Sequence, residues 1–192
     1  MKLYIFNPEN DLALADGGAN YCPTPAAAQI AYDLASLPLW FADKQDCVVL
    51  PDDVHCEYHK RVSSLFTVAS PYSNEMQSSV TSCVPWGWSA QIKRRLRVMG
   101  FDSILPNETS IAAIRGLSNR KISIQILSAL KEMGVDTPPL PLYCTSPDDV
   151  ASFVNSRCRC VVKAPWSGSG KGVASPENGI FTITIKQLGK AE

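Results

Sequence analysis

Val161-Val162-Lys163-Ala164-Pro165-Trp166-Ser167-Gly168-Ser169-Gly170-Lys171-Gly172-Val173 decides how this chain is read. A short β-branched run feeds a loop with three glycines and two serines in six residues. Without a Cβ, glycine lets consecutive backbone N–H groups turn toward one anion. The hydroxyls of Ser167 and Ser169 add donors, and Lys163 and Lys171 bracket the loop with positive charge. A polyphosphate needs that combination of donors, cations and close backbone approach. Two rival phosphate motifs fail on spacing. A Walker loop requires glycine five residues before its Gly-Lys pair and Ser or Thr after it; those positions hold Pro165 and Gly172. A dinucleotide fingerprint requires G-x-G-x-x-G opening a helix, whereas Val173-Ala174-Ser175-Pro176 cannot sustain one. A Gly/Ser loop can also be a plain connection between strands.

Working outward, Ser118 is a candidate helix cap, with Gly134 as the stop after Met133. Ile122, Ile126, Leu130 and Met133 would share one face of that helix. Pro138, Pro139 and Pro141 then lead to an expected short strand over 142–144. Ser146-Pro147-Asp148-Asp149 is a helix start, with a capping hydroxyl, proline in the first turn and acids facing the positive helix end. Val150, Phe153 and Val154 give it an apolar face. Strands are expected over 160–162, with Lys163 at the end, and over 181–185.

The first half alternates short apolar runs with helical stretches. Strands are expected over 2–6, 47–50 and 103–105, and helices over 26–37, 53–66 and 89–99. Residues 7–25 read as a long loop, and 67–85 give no clear pattern. The expected fold class is α/β: a small, mainly parallel-sheet domain over 1–110, then a partial α+β subdomain over 111–192.

The order of motifs from residue 115 resembles the ATP-grasp family. The resemblance rests on Ser118-Asn119-Arg120-Lys121, Met133-Gly134-Val135, Pro138-Pro139, the capped helix, Val161-Val162-Lys163-Ala164 and Gly168-Ser169-Gly170-Lys171-Gly172. It covers roughly the last 75 residues. It implies an ATP cofactor whose phosphates or adenine edge meet Lys163. Arg120 would be the second cation, with Lys121 as the fallback. Ser167, Gly168, Ser169, Gly170, Lys171 and Gly172 would form a flap over the phosphates. It also implies that 1–110 is the preceding domain of a carboxylate–amine or carboxylate–thiol ligase. Family members carry their magnesium-binding acids downstream of the flap; past Gly172 this chain has only Glu177 and Glu192. The expectation is therefore the N-terminal portion of such an enzyme, inactive by itself, with no catalytic or metal-ligating residue of its own. Magnesium would belong to a complete enzyme, and a missing C-terminal half or a second copy would be the partner. The competing expectation is a noncatalytic α/β binding or scaffold module with no nucleotide site.

Other constellations carry weaker chemistry. Asn7-Pro8-Glu9-Asn10-Asp11 follows the first strand, and open α/β sheets collect ligands beyond the carboxyl ends of their strands. Glu9 and Asp11 could hold an amine substrate there, and Asn10 could donate to a carboxylate; a turn fastened by Asx side chains is the plainer reading. His55 and His59 would share a helix face, but no third ligand is in view. Trp86 and Trp88 suit packing or substrate stacking. Lys93, Arg94, Arg95 and Arg97 suit a solvated helix face.

Composition narrows the classes further. Lys plus Arg and Asp plus Glu both number 18 among 192 residues, which argues against a nucleic-acid footprint or a polybasic membrane patch. The apolar start is too short for a signal peptide. Seven scattered cysteines, with no C-x-x-C pair, suit reduced thiols in the cytoplasm. Cys158-Arg159-Cys160 suits buried strand thiols better than a metal site.

Overall fold

The structure is a computed structural model that describes residues 1–156, 160–166 and the backbone of 173–174. It divides into two compact units, Met1–Arg115 and Gly116–Glu192. The expected boundary at 110/111 falls inside a helix that runs Glu108–Ser118.

The first unit is an α/β layer around a four-stranded parallel sheet. Its strands are β1 (Lys2–Ile5), β2 (Cys47–Val48), β3 (Ser70–Pro71) and β4 (Ser82–Pro85), in the order β3-β2-β1-β4. Its helices are α1 (Asn10–Asp16), α2 (Pro25–Asp33), α3 (Asp53–Ser63) and α4 (Ala90–Val98). The next helix, α5 (Glu108–Ser118), spans the division between the units. Each edge strand carries a proline, Pro71 or Pro85, which cannot donate to a further strand.

Side-chain alternation gives the sheet two apolar faces. Leu3, Ile5, Cys47 and Cys83 point to one face, where Ile92 and Leu96 of α4 join Val80 and Phe101 in the larger core cluster. Tyr4 and Val48 point to the other, where Leu39, Ala69 and Tyr58 of α3 pack. Leu3 stands opposite Cys47 on one side and Cys83 on the other. The two thiols are thus two strand spacings apart, about 9–10 Å, beyond disulfide reach. Burial holds both thiols protonated, pushing each up to about 11. The six described cysteines are all free, and Cys158 lies outside the described residues.

Several local expectations change. The 7–25 segment is not all loop: α1 forms within it and closes at Gly17, whose φ of 78° is left-handed. The helix expected over 26–37 ends at Asp33, and Pro38 lies inside a 3-10 turn, Leu37–Trp40. The strand expected over 103–105 is a 3-10 turn, Asp102–Ile104. The patternless 67–85 stretch holds β3, the 3-10 turn Asn74–Ser79 and β4.

The second unit contains α6 (Lys121–Glu132), α7 (Pro147–Asn155) and an antiparallel pair, β5 (Val162–Lys163) with β6 (Val173–Ala174). Ser118 closes α5 instead of capping α6, whose N-cap position is Arg120. No strand forms over 142–144. The capped start at Ser146 is as expected: its hydroxyl accepts from the Asp149 N–H, and the Asp149 carboxylate accepts from the Ser146 N–H. Residues 181–185 lie outside the described residues.

Candidate functional site

In the order β3-β2-β1-β4 the chain moves outward from β1 through β2 to β3, then returns to the far side of β1 for β4. The reversal opens a switch point between the carboxyl ends of β1 and β4, where open α/β sheets bind ligands. Two segments meet there: Phe6-Asn7-Pro8-Glu9-Asn10 after β1, and Trp86-Gly87-Trp88-Ser89 after β4. The Trp86 N–H donates to the Ile5 carbonyl at 2.8 Å, continuing the ladder beyond Pro85. Phe6 and Trp86 then meet edge to face, ring centroids 5.3 Å apart.

Asn7 fastens the two segments. Its Nδ2 donates to the Gly87 carbonyl at 2.8 Å, and its Oδ1 accepts from the Gly87 N–H at 3.2 Å. Asn10 fills the space beside Gly87: a Cβ on Gly87 would stand 2.3 Å from Asn10 Nδ2. Ser89 caps α4, its hydroxyl accepting from the Ile92 N–H.

Glu9 is 7% exposed and Asn10 9% exposed. Three side-chain acceptors in this region are closed off from solvent with no hydrogen-bond partner: Glu9 Oε2, Asn10 Oδ1 and Gln91 Oε1. Burial pushes the Glu9 carboxyl above its ordinary value, against the opposing pull of its own backbone N–H and the Arg95 guanidinium. Tyr21 is also pushed up, by burial first and then by the charges of Glu9 and Asp16. Of the two acids expected to hold an amine, Glu9 is buried and Asp11 is exposed. Gln91 was missed in the sequence; only its place in the first turn after a capped β4–α4 connection could have marked it.

The basic run of α4 is not uniformly solvated. Lys93 is buried, and its ammonium donates to Glu108 Oε1 at 2.6 Å. Arg94, Arg95 and Arg97 are exposed. The histidines also serve the fold. His55 is buried; its Nδ1 meets Asp52 Oδ1 at 2.8 Å and its Nε2 meets the Tyr32 carbonyl at 2.7 Å. His59 Nε2 meets the Ala69 carbonyl at 3.0 Å. Among the described residues, no three His, Cys, Asp or Glu side chains are grouped to hold a metal ion.

In the second unit, Arg120 is tied to the segment just past β5. Its Nε donates to the Ala164 carbonyl at 3.0 Å, and its backbone N–H donates to the Pro165 carbonyl at 2.9 Å. Lys163, one residue earlier, is exposed at the end of β5. Lys121 turns elsewhere, its ammonium 5.2 Å from the centre of the Tyr143 ring. The β5–β6 register sets Val162 opposite Ala174 and Lys163 opposite Val173. Ser167, Gly168, Ser169, Gly170, Lys171 and Gly172 lie outside the described residues. A shallow depression in this unit is lined by Leu142, Tyr143, Asp149, Ser152, Phe153 and Ser156, apart from Arg120 and Lys163.

No family model, curated protein or solved structure matches the chain. No described helix is long and apolar enough to cross a membrane. The geometry defines an α/β protein with a buried polar seam at its sheet reversal, and a second unit that sets Arg120 beside the end of the Lys163 strand.

Proposed function

We propose that this chain is an ATP-binding portion of an ATP-grasp-type ligase, in which Arg120 and Lys163 hold the nucleotide phosphates beneath the Ser167–Gly172 loop. One observation carries the reading: Arg120 is anchored to the Ala164 and Pro165 carbonyls, immediately after Lys163. Two cations far apart in sequence thereby come from adjoining backbone at the mouth of an antiparallel pair. Guanidinium and ammonium groups recognise phosphate oxygens through charge-assisted hydrogen bonds. In a complete ligase, such groups would stabilise charge on a phosphoryl group moving from ATP to a carboxylate. The resemblance would set magnesium-binding acids past residue 172, where the sequence has Glu177 and Glu192.

Calorimetric titration with Mg-ATP, paired with an ADP-release assay, tests the reading. Saturable binding without steady turnover is expected, with affinity at least tenfold weaker in Lys163→Ala and in Arg120→Ala. Absence of binding would favour the second reading, a noncatalytic α/β module. The pairing of β5 with β6 also suits that reading, because a plain hairpin connection has the same ends.

A further inference from the structure

The polar seam of the first unit calls for a ligand of its own. It joins the residues that open α1 to those that open α4, two helices that pack together. Glu9 and Asn10 enter from the β1 side, and Gln91 from the first turn after Ser89. Every orphaned atom there is an acceptor: a carboxylate oxygen and two amide oxygens. Burying acceptors without donors is costly, most of all for a carboxylate. The Asn7 amide is committed to Gly87, one Nδ2 hydrogen donating to its carbonyl and Oδ1 accepting from its N–H. Arg95 acts on Glu9 through its charge, but its guanidinium is exposed and makes no hydrogen bond to that carboxylate among the described contacts.

We propose that the seam is a binding site for the primary ammonium group of a small molecule, whose three N–H donors are taken up by Glu9 Oε2, Asn10 Oδ1 and Gln91 Oε1. An alkylammonium carries three donors and no acceptor, matching the three orphaned acceptors. Its positive charge offsets the buried carboxylate. The site follows a parallel-sheet reversal, where backbone from two strands can surround a small ligand. Asp11, exposed on α1, takes no part, and Asn10 serves as an acceptor. The assignment goes beyond the nucleotide reading, with no residue in common.

The test uses the full isotope-labelled chain and follows the side-chain amide signals of Asn10 and Gln91 by NMR. n-Butylammonium chloride should shift both signals saturably at millimolar concentration. Tetramethylammonium, which has the charge but no N–H donor, and butyrate should not. Glu9→Gln should weaken n-butylammonium at least tenfold while the β1 and β4 backbone signals stay in place. Gln91→Met, at a half-buried position, should weaken it severalfold and serves if Glu9→Gln does not fold. A non-saturating response, equal shifts with tetramethylammonium or butyrate, or unchanged affinity in the folded variants would overturn the proposal. Mg-ATP titration of the same variants should give wild-type affinity, so loss of amine binding and failure of the nucleotide reading remain distinguishable.

Discussion

Asn7 and Gly87, 80 residues apart, exchange two hydrogen bonds across the carboxyl ends of β1 and β4, so a side chain imitates one more rung of the ladder. Asn7 is 1% exposed, and Gly87 is half-buried. Asn7→Ala should therefore lower unfolding free energy by about 1–3 kcal/mol, the usual cost of leaving buried backbone groups unpaired. Urea denaturation reads this directly; a loss within error of zero would mean that the two segments hold together without the amide.

Gly87 should tolerate no side chain while Asn10 stays in place. An added Cβ would lie 2.3 Å from Asn10 Nδ2 and 2.5 Å from its Cγ. Gly87→Ala is expected to cost about 1–3 kcal/mol through overpacking. Combining it with Asn10→Ala should cost less than the sum of the single changes, since the two occupy one volume. Strict additivity in the double-mutant cycle would contradict the packing described.

Asp52 ties α2 to α3, accepting from the Tyr32 hydroxyl and from His55 Nδ1. These hydrogen bonds, Tyr32 first and His55 second, lower its carboxyl from the usual 3.8 to about 2. A depressed carboxylate stabilises the fold above its unfolded value and stops doing so as pH falls through its folded value. Wild-type stability should thus decline between about pH 4 and pH 2 more steeply than that of Asp52→Asn. Denaturant midpoints at pH 5 and pH 2.5 make the comparison, and parallel declines would remove Asp52 as the cause.

Lys93 and Glu108 are an unequal pair, with side chains 7% and 74% exposed. Removing the exposed partner strands a buried ammonium, whereas removing the buried one leaves Glu108 exposed, with Arg97 Nη2 3.8 Å away. Glu108→Ala should lower the unfolding temperature measurably, while Lys93→Met, which keeps the apolar stem, should stay within about 1 kcal/mol of wild type. Thermal unfolding of both variants decides; the reverse order would mean that the lysine stem contributes more than its charge.

Much of the first unit is legible in the sequence, because its elements announce themselves locally. Ser89 precedes a helix and caps it, and the β1 run becomes an inner strand of the sheet. What escapes detection depends on partners far along the chain. β4 is Ser-Cys-Val-Pro inside a polar stretch, and only pairing with β1 makes it a strand. The 142–144 segment has strand composition but no neighbouring strand to pair with in the described structure. α1 hides in a loop-like composition because its helicity is set by packing of Ala13 and Leu14. Glu9 and Asn10 stood out by their place after a first strand, while Gln91 required the β4–α4 connection to be known. The burial of His55 escapes the sequence because nothing nearby reveals Tyr32, whose carbonyl and ring it meets.

Arg115 has a practical bearing on how this polypeptide can be divided. From α5 it donates through Nε to the Leu14 carbonyl at 2.7 Å and through Nη2 to the Ala15 carbonyl at 3.4 Å, covering Gly17. A shortened gene product stopping at residue 110 would discard that clasp and uncover the C-terminal end of α1. An excised first half should retain Arg115 and enough of the following turn to keep it helical.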